Sequence, residues 1–185
     1  MSRDVLFVQG GGEAVHDDWD SHLVESLRRE LGPGYRVRYP RMPNEADPSY
    51  AIWRDAIEDE FASLGEGALL VAHSVGATIL LNTLAERRPR RAFGGVFLVA
   101  PPFVGEGGWP SEEIADMAGI GSRLPEDLVI RLYHGADDGI VPIAHLDLYA
   151  RAIPRAEVRR LPGRDHQLNG DLAEVAADIR RLAPS

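Results

Sequence analysis

The chain contains no cysteine among its 185 residues, which excludes both a disulfide framework and a thiolate nucleophile. It also contains no lysine, since all 20 of its basic residues are arginine. Schiff-base chemistry on lysine and a phosphate-binding P-loop lysine are therefore excluded. No apolar run reaches the roughly 20 residues that a membrane-spanning helix needs. The first residues enter a strand at once and leave no room for a signal peptide, so we expect a cytoplasmic protein.

Positive charge is scarce, and the formal net charge is −9. Such an excess of negative charge argues against nucleic acid as a partner, against anionic membrane surfaces and against a highly anionic substrate. A hydrophobic share of 44% beside 26% charged residues is typical of a soluble globular protein. The length fits one domain over residues 1–185, without repeats or an interdomain linker.

Short apolar runs alternate with segments of helical periodicity along the whole chain, which is typical of an α/β fold. Strands are predicted at residues 4–9, 35–39, 68–72, 95–100, 128–133 and 157–161. Helices are predicted at 21–31, from Pro48 onwards with Asp47 as cap, at 75–86, at 142–151 and at the C-terminus, with a short one around 111–117. We therefore expect a single α/β domain of about six mostly parallel strands in the order 2-1-3-4-5-6, with helices on both faces.

The chain is organised around Ser74, which lies between the buried strand 68–72 and the helix 75–86. Ala72 precedes it by two residues and Gly76 follows it by two, and small residues there let a strand and a helix pass closely. A serine at such a turn is held in a strained backbone conformation that pushes its hydroxyl clear of the sheet. The first amides of the helix lie beneath that hydroxyl and favour the negative charge that develops in acyl transfer.

An acid and a base follow two later strands. Asp137 and Asp138 lie in the loop after strand 128–133, and His166 lies between the last strand and the last helix. Loops after parallel strands meet at one edge of the sheet, where ligands bind in such folds. A serine hydroxyl needs an imidazole to take its proton, and the imidazole needs a carboxylate that fixes its tautomer. The three residue types therefore favour nucleophilic catalysis.

The glycines 10–12 close the first predicted strand, and such a loop can bend sharply and present its amides to a ligand. A dinucleotide fingerprint fails on register, because Val15 stands where the third small residue should be. The alternative to a ligand-binding loop is a tight turn without a role in binding.

These segments together resemble the α/β-hydrolase superfamily. Residues 72–76 are similar to its Gly-x-Ser-x-Gly nucleophile elbow, with Ala72 as a departure, and residues 134–142 are similar to its acid loop. The chain order Ser74, Asp138, His166 is the order these hydrolases show. The resemblance implies that these three are nucleophile, acid and base, with Asp137 as the alternative acid.

The resemblance further implies an oxyanion hole made by the backbone amides of Gly11 and Val75. The implied activity is a serine hydrolase that cleaves a carboxylic ester, thioester or amide of a small molecule through an acyl-enzyme. No cofactor and no metal are expected. Two alternatives stay open: a non-catalytic binding or scaffold protein on the same fold, and perhydrolase or C–C hydrolase chemistry with the same triad.

Residues 101–128 are too few to build a cap domain, so the chain resembles the small lid-less branch of the superfamily, of the retinoblastoma-binding serine hydrolase type. An open, shallow site is expected. Candidates for substrate binding are Gly10, Phe103, Val104 and Trp109. For the last three, packing beneath the loop is an equal alternative.

The remaining histidines favour structural roles. We expect His73 to be buried and bonded to backbone, with its ring turned away from the Ser74 hydroxyl. We expect His134 to be structural and His145 to be a surface or packing residue. A metal site is conceivable where two histidines lie among three acids, but a solvated acidic helix start is favoured. That cluster comprises His16, Asp17, Asp18, Asp20 and His22.

Overall fold

A computed structural model describes residues 2–87, 89 and 91–182. It contains six parallel strands in one sheet, in the predicted order β2-β1-β3-β4-β5-β6. The strands are β1 Arg3–Val8, β2 Tyr35–Arg38, β3 Leu69–His73, β4 Gly95–Val99, β5 Ile130–Gly135 and β6 Glu157–Leu161. The predicted α/β architecture, with six parallel strands in this order, is confirmed.

Five α-helices cover the two faces of the sheet. They are α1 Asp20–Leu31, α2 Tyr50–Ser63, α3 Ser74–Glu86, α4 Ala144–Ala152 and α5 Ala173–Arg181. Alternate residues of β1 enter different cores, because successive side chains of a strand point to opposite faces. Leu6 joins the core beneath α2, α3 and α4, whereas Phe7 joins the core beneath α1 and α5.

The register of the central strands aligns the loops that follow them. Ala72 of β3 is opposite Val8 of β1 and Leu98 of β4, so these strands end at nearly the same level. The loops after β1, β3 and β5 consequently meet at the carboxyl edge of the sheet. In the described parts of the chain, no helix combines the length and the apolar composition needed to cross a bilayer.

The prediction of a short helix around residues 111–117 is wrong, since that segment consists of bends and irregular backbone. The Ser111 hydroxyl accepts the amides of Glu113 and Ile114, and the Asp116 carboxylate accepts the amide of Ala118. Such local side-chain bonds offer the backbone an alternative to helical bonding. The only regular turn nearby is a 3₁₀ turn at Ile120–Ser122.

The start of α2 also differs from the prediction. The helix begins at Tyr50 rather than Pro48, and Asp47 is not its cap. A distant residue supports this end instead, because Oε2 of Glu113 accepts the amide of Tyr50 at 2.6 Å. Trp53 of this helix is buried in the core, whereas the adjacent Ile52 is 44% exposed.

Candidate active site

Ser74 occupies a strained turn between β3 and α3. Its φ angle is +52°, a left-handed conformation that is uncommon for a residue other than glycine. Ala72 is fully buried. Gly76 lies so close to the end of β1 that a Cβ there would sit 1.9 Å from the main-chain oxygen of Gln9. The turn therefore has the small-residue geometry that the sequence indicated.

Three side chains from three different loops meet at this turn. Oγ of Ser74 lies 3.0 Å from Nε2 of His166. Nδ1 of His166 lies 2.8 Å from Oδ2 of Asp138. The contacts form one continuous line from hydroxyl to imidazole to carboxylate, which is the arrangement that lets a histidine accept a serine proton.

Asp138 is held from several sides. Its Oδ1 accepts the amides of Ile140 at 2.8 Å and of Val141 at 2.9 Å. Its Oδ2 lies 3.1 Å from Nε2 of His134 as well as against His166. Burial alone would raise the pKa of the Asp138 carboxyl, but its contacts with the two histidines outweigh burial and hold that pKa well below its usual range. Asp138 is therefore a carboxylate at neutral pH.

The neighbouring Asp137 is exposed. Its amide donates to the main-chain oxygen of Arg164. None of the hydrogen bonds of the described residues joins Asp137 to the His166 imidazole. The alternative in which Asp137 is the triad acid therefore has no contact to support it.

The surroundings of His166 favour its neutral form. Burial lowers the pKa of the imidazole, the bond to Asp138 raises it, and nearby His73 lowers it again. The net direction is downward from the usual value of 6.5. A neutral imidazole has a free nitrogen lone pair, so the ring facing Ser74 is in the form that can take up a proton.

The glycine loop after β1 lies beside the start of α3. A Cβ on Gly11 would come within 2.8 Å of Cγ1 of Val75 and 2.5 Å of Cγ of Pro48, so only glycine lets the loop approach the elbow this closely. The amide of Gly10, in contrast, donates to Oδ2 of Asp20 at 2.7 Å. The Gly10 amide therefore anchors the loop to Asp20 and is not available to bind a substrate.

The three candidates in the loop after β4 are placed differently. Phe103 and Val104 join the core beneath the loop, and the Phe103 ring packs edge-on against Tyr149. Trp109 is 40% exposed and packs edge-on against His145 at a ring distance of 5.4 Å. Phe103 and Val104 therefore pack beneath the loop, as in the alternative to substrate binding, whereas Trp109 has an exposed face that a ligand could reach.

The histidines predicted to be structural are buried. His134 contacts the main-chain oxygen of Val141 through Nε2, and Nδ1 of His145 accepts the amide of Phe103. His73 is 1% exposed, and its Nε2 lies 3.0 Å from the main-chain oxygen of His166. No cluster of three or more His, Asp or Glu side chains in the described ranges could hold a metal ion.

The prediction of a solvated acidic helix start is wrong for Asp20, which is fully buried and lies 2.8 Å from Nδ1 of His73. A signal for this burial was present in the sequence. Asp20 precedes Leu23 by three residues and Val24 by four, and therefore lies on the apolar face of α1. The predicted solvated helix start depended only on the charge of Asp20 and on its acidic neighbours.

Comparison with known proteins gives a consistent result. A family model described as serine hydrolase matches residues 5–169. The Bacillus subtilis (strain 168) protein YdeN is 29% identical over 100 residues, which are 54% of this chain and 51% of YdeN, so that match spans about half the length of the curated relative.

Solved structures show the same fold. The crystal structure of the ydeN gene product from B. subtilis superposes with a TM-score of 0.77 at 23% identity, covering 97% of each chain. The esterase RhEst1 from Rhodococcus sp. ECU1013 superposes with a TM-score of 0.68 at 15% identity, covering 98% of this chain and 92% of that one.

Proposed function

Because the chain belongs to the serine hydrolase family and has the α/β-hydrolase fold, we propose that it cleaves a carboxylic ester, thioester or amide of a small molecule through an acyl-enzyme on Ser74. The observation that supports this most directly is the line of contacts from Ser74 through His166 to Asp138. In this line, each side chain lies within hydrogen-bond distance of the group that its proposed role requires.

In the first half of the reaction, Oγ of Ser74 attacks the substrate carbonyl carbon while Nε2 of His166 takes the hydroxyl proton. The negative charge moves to the carbonyl oxygen, where the amides of Gly11 and Val75 are the proposed donors. Collapse of this intermediate breaks the bond to the leaving group, which receives the proton from His166. The product of this half is the acyl-enzyme.

In the second half, a water molecule attacks the acyl carbon and gives its proton to His166. Collapse then expels Oγ of Ser74, which recovers that proton, and the carboxylic acid leaves. Asp138 does not exchange protons in either half. It holds the imidazole in the tautomer with hydrogen on Nδ1 and stabilises the imidazolium that forms twice in each cycle.

Labelling with a fluorophosphonate probe, which phosphonylates activated serines, tests the proposal. We expect the wild-type protein to be labelled and Ser74→Ala not to be labelled. Turnover of an ester panel of graded acyl length should fall by about 10⁴-fold or more in Ser74→Ala. Ser122→Ala is the matched control, because that hydroxyl donates to the main-chain oxygen of Gly119 and has no hydrogen bond with the triad among the described residues. Equal labelling of wild type and Ser74→Ala would refute the proposal, and no labelling with no turnover would favour a binding protein instead.

A further inference from the structure

A second carboxylate and imidazole lie buried behind the candidate triad. Asp20 is the first residue of α1 and His73 is the last of β3, with 0% and 1% of their surfaces exposed. Oδ1 of Asp20 lies 2.8 Å from Nδ1 of His73. Neither atom has another hydrogen-bond partner among the described groups. Each therefore depends on the other to offset its loss of water.

The remaining two polar atoms of this pair contact two different loops of the candidate site. Oδ2 of Asp20 accepts the amide of Gly10, in the loop whose next residue is the proposed oxyanion donor Gly11. Nε2 of His73 contacts the main-chain oxygen of His166 at 3.0 Å. The pair thus joins the loop after β1 to the loop that holds the proposed base.

The hydrogen-bond partners define the charge of the pair. A carbonyl oxygen can only accept, so Nε2 of His73 carries a proton. Nδ1 faces a carboxylate, which also accepts when ionised. Burial lowers the pKa of His73, but the carboxylate of Asp20 outweighs burial, so that the pKa is raised overall. This favours an imidazolium beside a carboxylate.

We propose that Asp20 and His73 are positioning residues for the reaction: together they fix the glycine loop and the His166 backbone, and they place a positive charge beside the proposed base. This inference rests on the proposed function. The rings of His73 and His166 are 4.8 Å apart between centroids, close enough for a charge on one to affect protonation of the other.

Among the described residues, three titratable groups affect the protonation of His166: Asp138 faces its Nδ1, His134 contacts Asp138, and His73 lies beside its ring. Asp20 contacts His73 and acts on His166 through it. Asp138 favours the imidazolium form of His166, whereas a cationic His73 disfavours it. The two carboxylate–imidazole pairs therefore act in opposite directions on the base. The Asp20–His73 pair favours the neutral form of His166, which can accept the proton of the Ser74 hydroxyl.

Asp20→Asn removes the negative charge but keeps the size of the side chain and an oxygen that can accept the Gly10 amide, so any loosening of the loops comes from weaker, uncharged hydrogen bonds. Its amide group no longer stabilises a cationic His73. We measure the fluorophosphonate labelling rate across pH. The acid limb of that profile should move upward by about one pH unit, and the plateau rate should fall by about tenfold as the loops loosen. An unchanged profile and plateau would overturn the inference.

Asp178→Asn is the matched control, since Asp178 is another buried carboxylate and binds Tyr133 and Arg159 instead. It should lower stability without moving the pH profile. An equal shift in this variant would show that the effect is general and would overturn the inference. If wild type itself is not labelled, the proposed function fails rather than this inference.

A measurement on the wild-type protein does not depend on folding of a variant or on activity. In a ¹⁵N NMR spectrum of the imidazoles at neutral pH, we expect protons on both ring nitrogens of His73 and on one ring nitrogen of His166. A singly protonated His73 would overturn the positive charge that we assign to it.

Discussion

Gly76 in the first turn of α3 and Gln9 just beyond β1 approach so closely that a Cβ on Gly76 would lie 1.9 Å from the main-chain oxygen of Gln9. The contact is between backbone and backbone, so no side-chain rearrangement can relieve it. It fixes the distance between the nucleophile turn and the glycine loop that follows Gln9. This close approach of Gly76 to Gln9 therefore brings the proposed oxyanion donors, the amides of Gly11 and Val75, beside Ser74.

Gly76→Ala should therefore destabilise the protein strongly. Relieving the overlap requires the strand end to shift, and we expect a loss of about 2–3 kcal/mol in the free energy of unfolding. Urea unfolding followed by circular dichroism measures this. Gly119→Ala is the control, because nothing lies within 4 Å of the added methyl, and its stability should change by less than about 1 kcal/mol. Equal stabilities of the two variants would contradict the close approach.

Sequence patterns were sufficient for the sheet because its signals are local. Each buried strand is an apolar run of its own, and the alternation with helices determines a parallel order. The positions of Ser74, Asp138 and His166 were predicted on the same basis, since each lies in the turn or loop that follows a strand. The structure brings these three side chains within hydrogen-bond distance, and their catalytic roles stay predictions.

The features that sequence analysis missed depend on contacts distant along the chain. The start of α2 is set by Glu113, which is 63 residues from Tyr50, and no local pattern near Asp47 reveals that. The buried state of Asp20 is stabilised by His73 and Gly10. A carboxylate on an apolar helix face suggests burial, but only the folded chain supplies the partner that makes burial tolerable.

Asp138→Asn should reduce turnover by about 10³–10⁴-fold. An asparagine that places its amide group toward Nδ1 of His166 favours the wrong imidazole tautomer, and it cannot stabilise the imidazolium. Comparison of kcat/KM for the best ester of the panel measures the loss.

Asp137→Asn is the matched control for that experiment, because it makes the same chemical change at the next residue. Asp137 is exposed, so its kcat/KM should stay within about threefold of wild type, in keeping with the small effect of surface substitutions. A large loss in Asp137→Asn together with a small one in Asp138→Asn would assign the acid to Asp137.

The pH dependence of kcat/KM should reflect the lowered pKa of His166. The free enzyme is active when this imidazole is neutral, so kcat/KM falls as the pH drops through the pKa of His166. Because that pKa is lowered from 6.5, activity should persist at pH values below 6.5 and decline only further down. A pH series of initial rates at low substrate concentration tests this. An acid limb centred above 6.5 would contradict the environment described for His166.

Trp109 and Phe103 should respond in opposite ways to truncation, although both lie in the loop after β4. Phe103 is 2% exposed and packs on Tyr149, so Phe103→Ala should cost about 3–5 kcal/mol of unfolding free energy. Trp109 is 40% exposed, and Trp109→Ala should change stability far less.

The same Trp109→Ala variant tests whether the exposed face of this ring binds the substrate. If it does, KM for longer acyl chains should rise by about tenfold, which corresponds to the burial of one or two methylene groups, while KM for acetyl esters changes little. Urea unfolding and a chain-length series of KM values distinguish the two roles, and a uniform rise in KM across all chain lengths would exclude Trp109 from an acyl-binding surface.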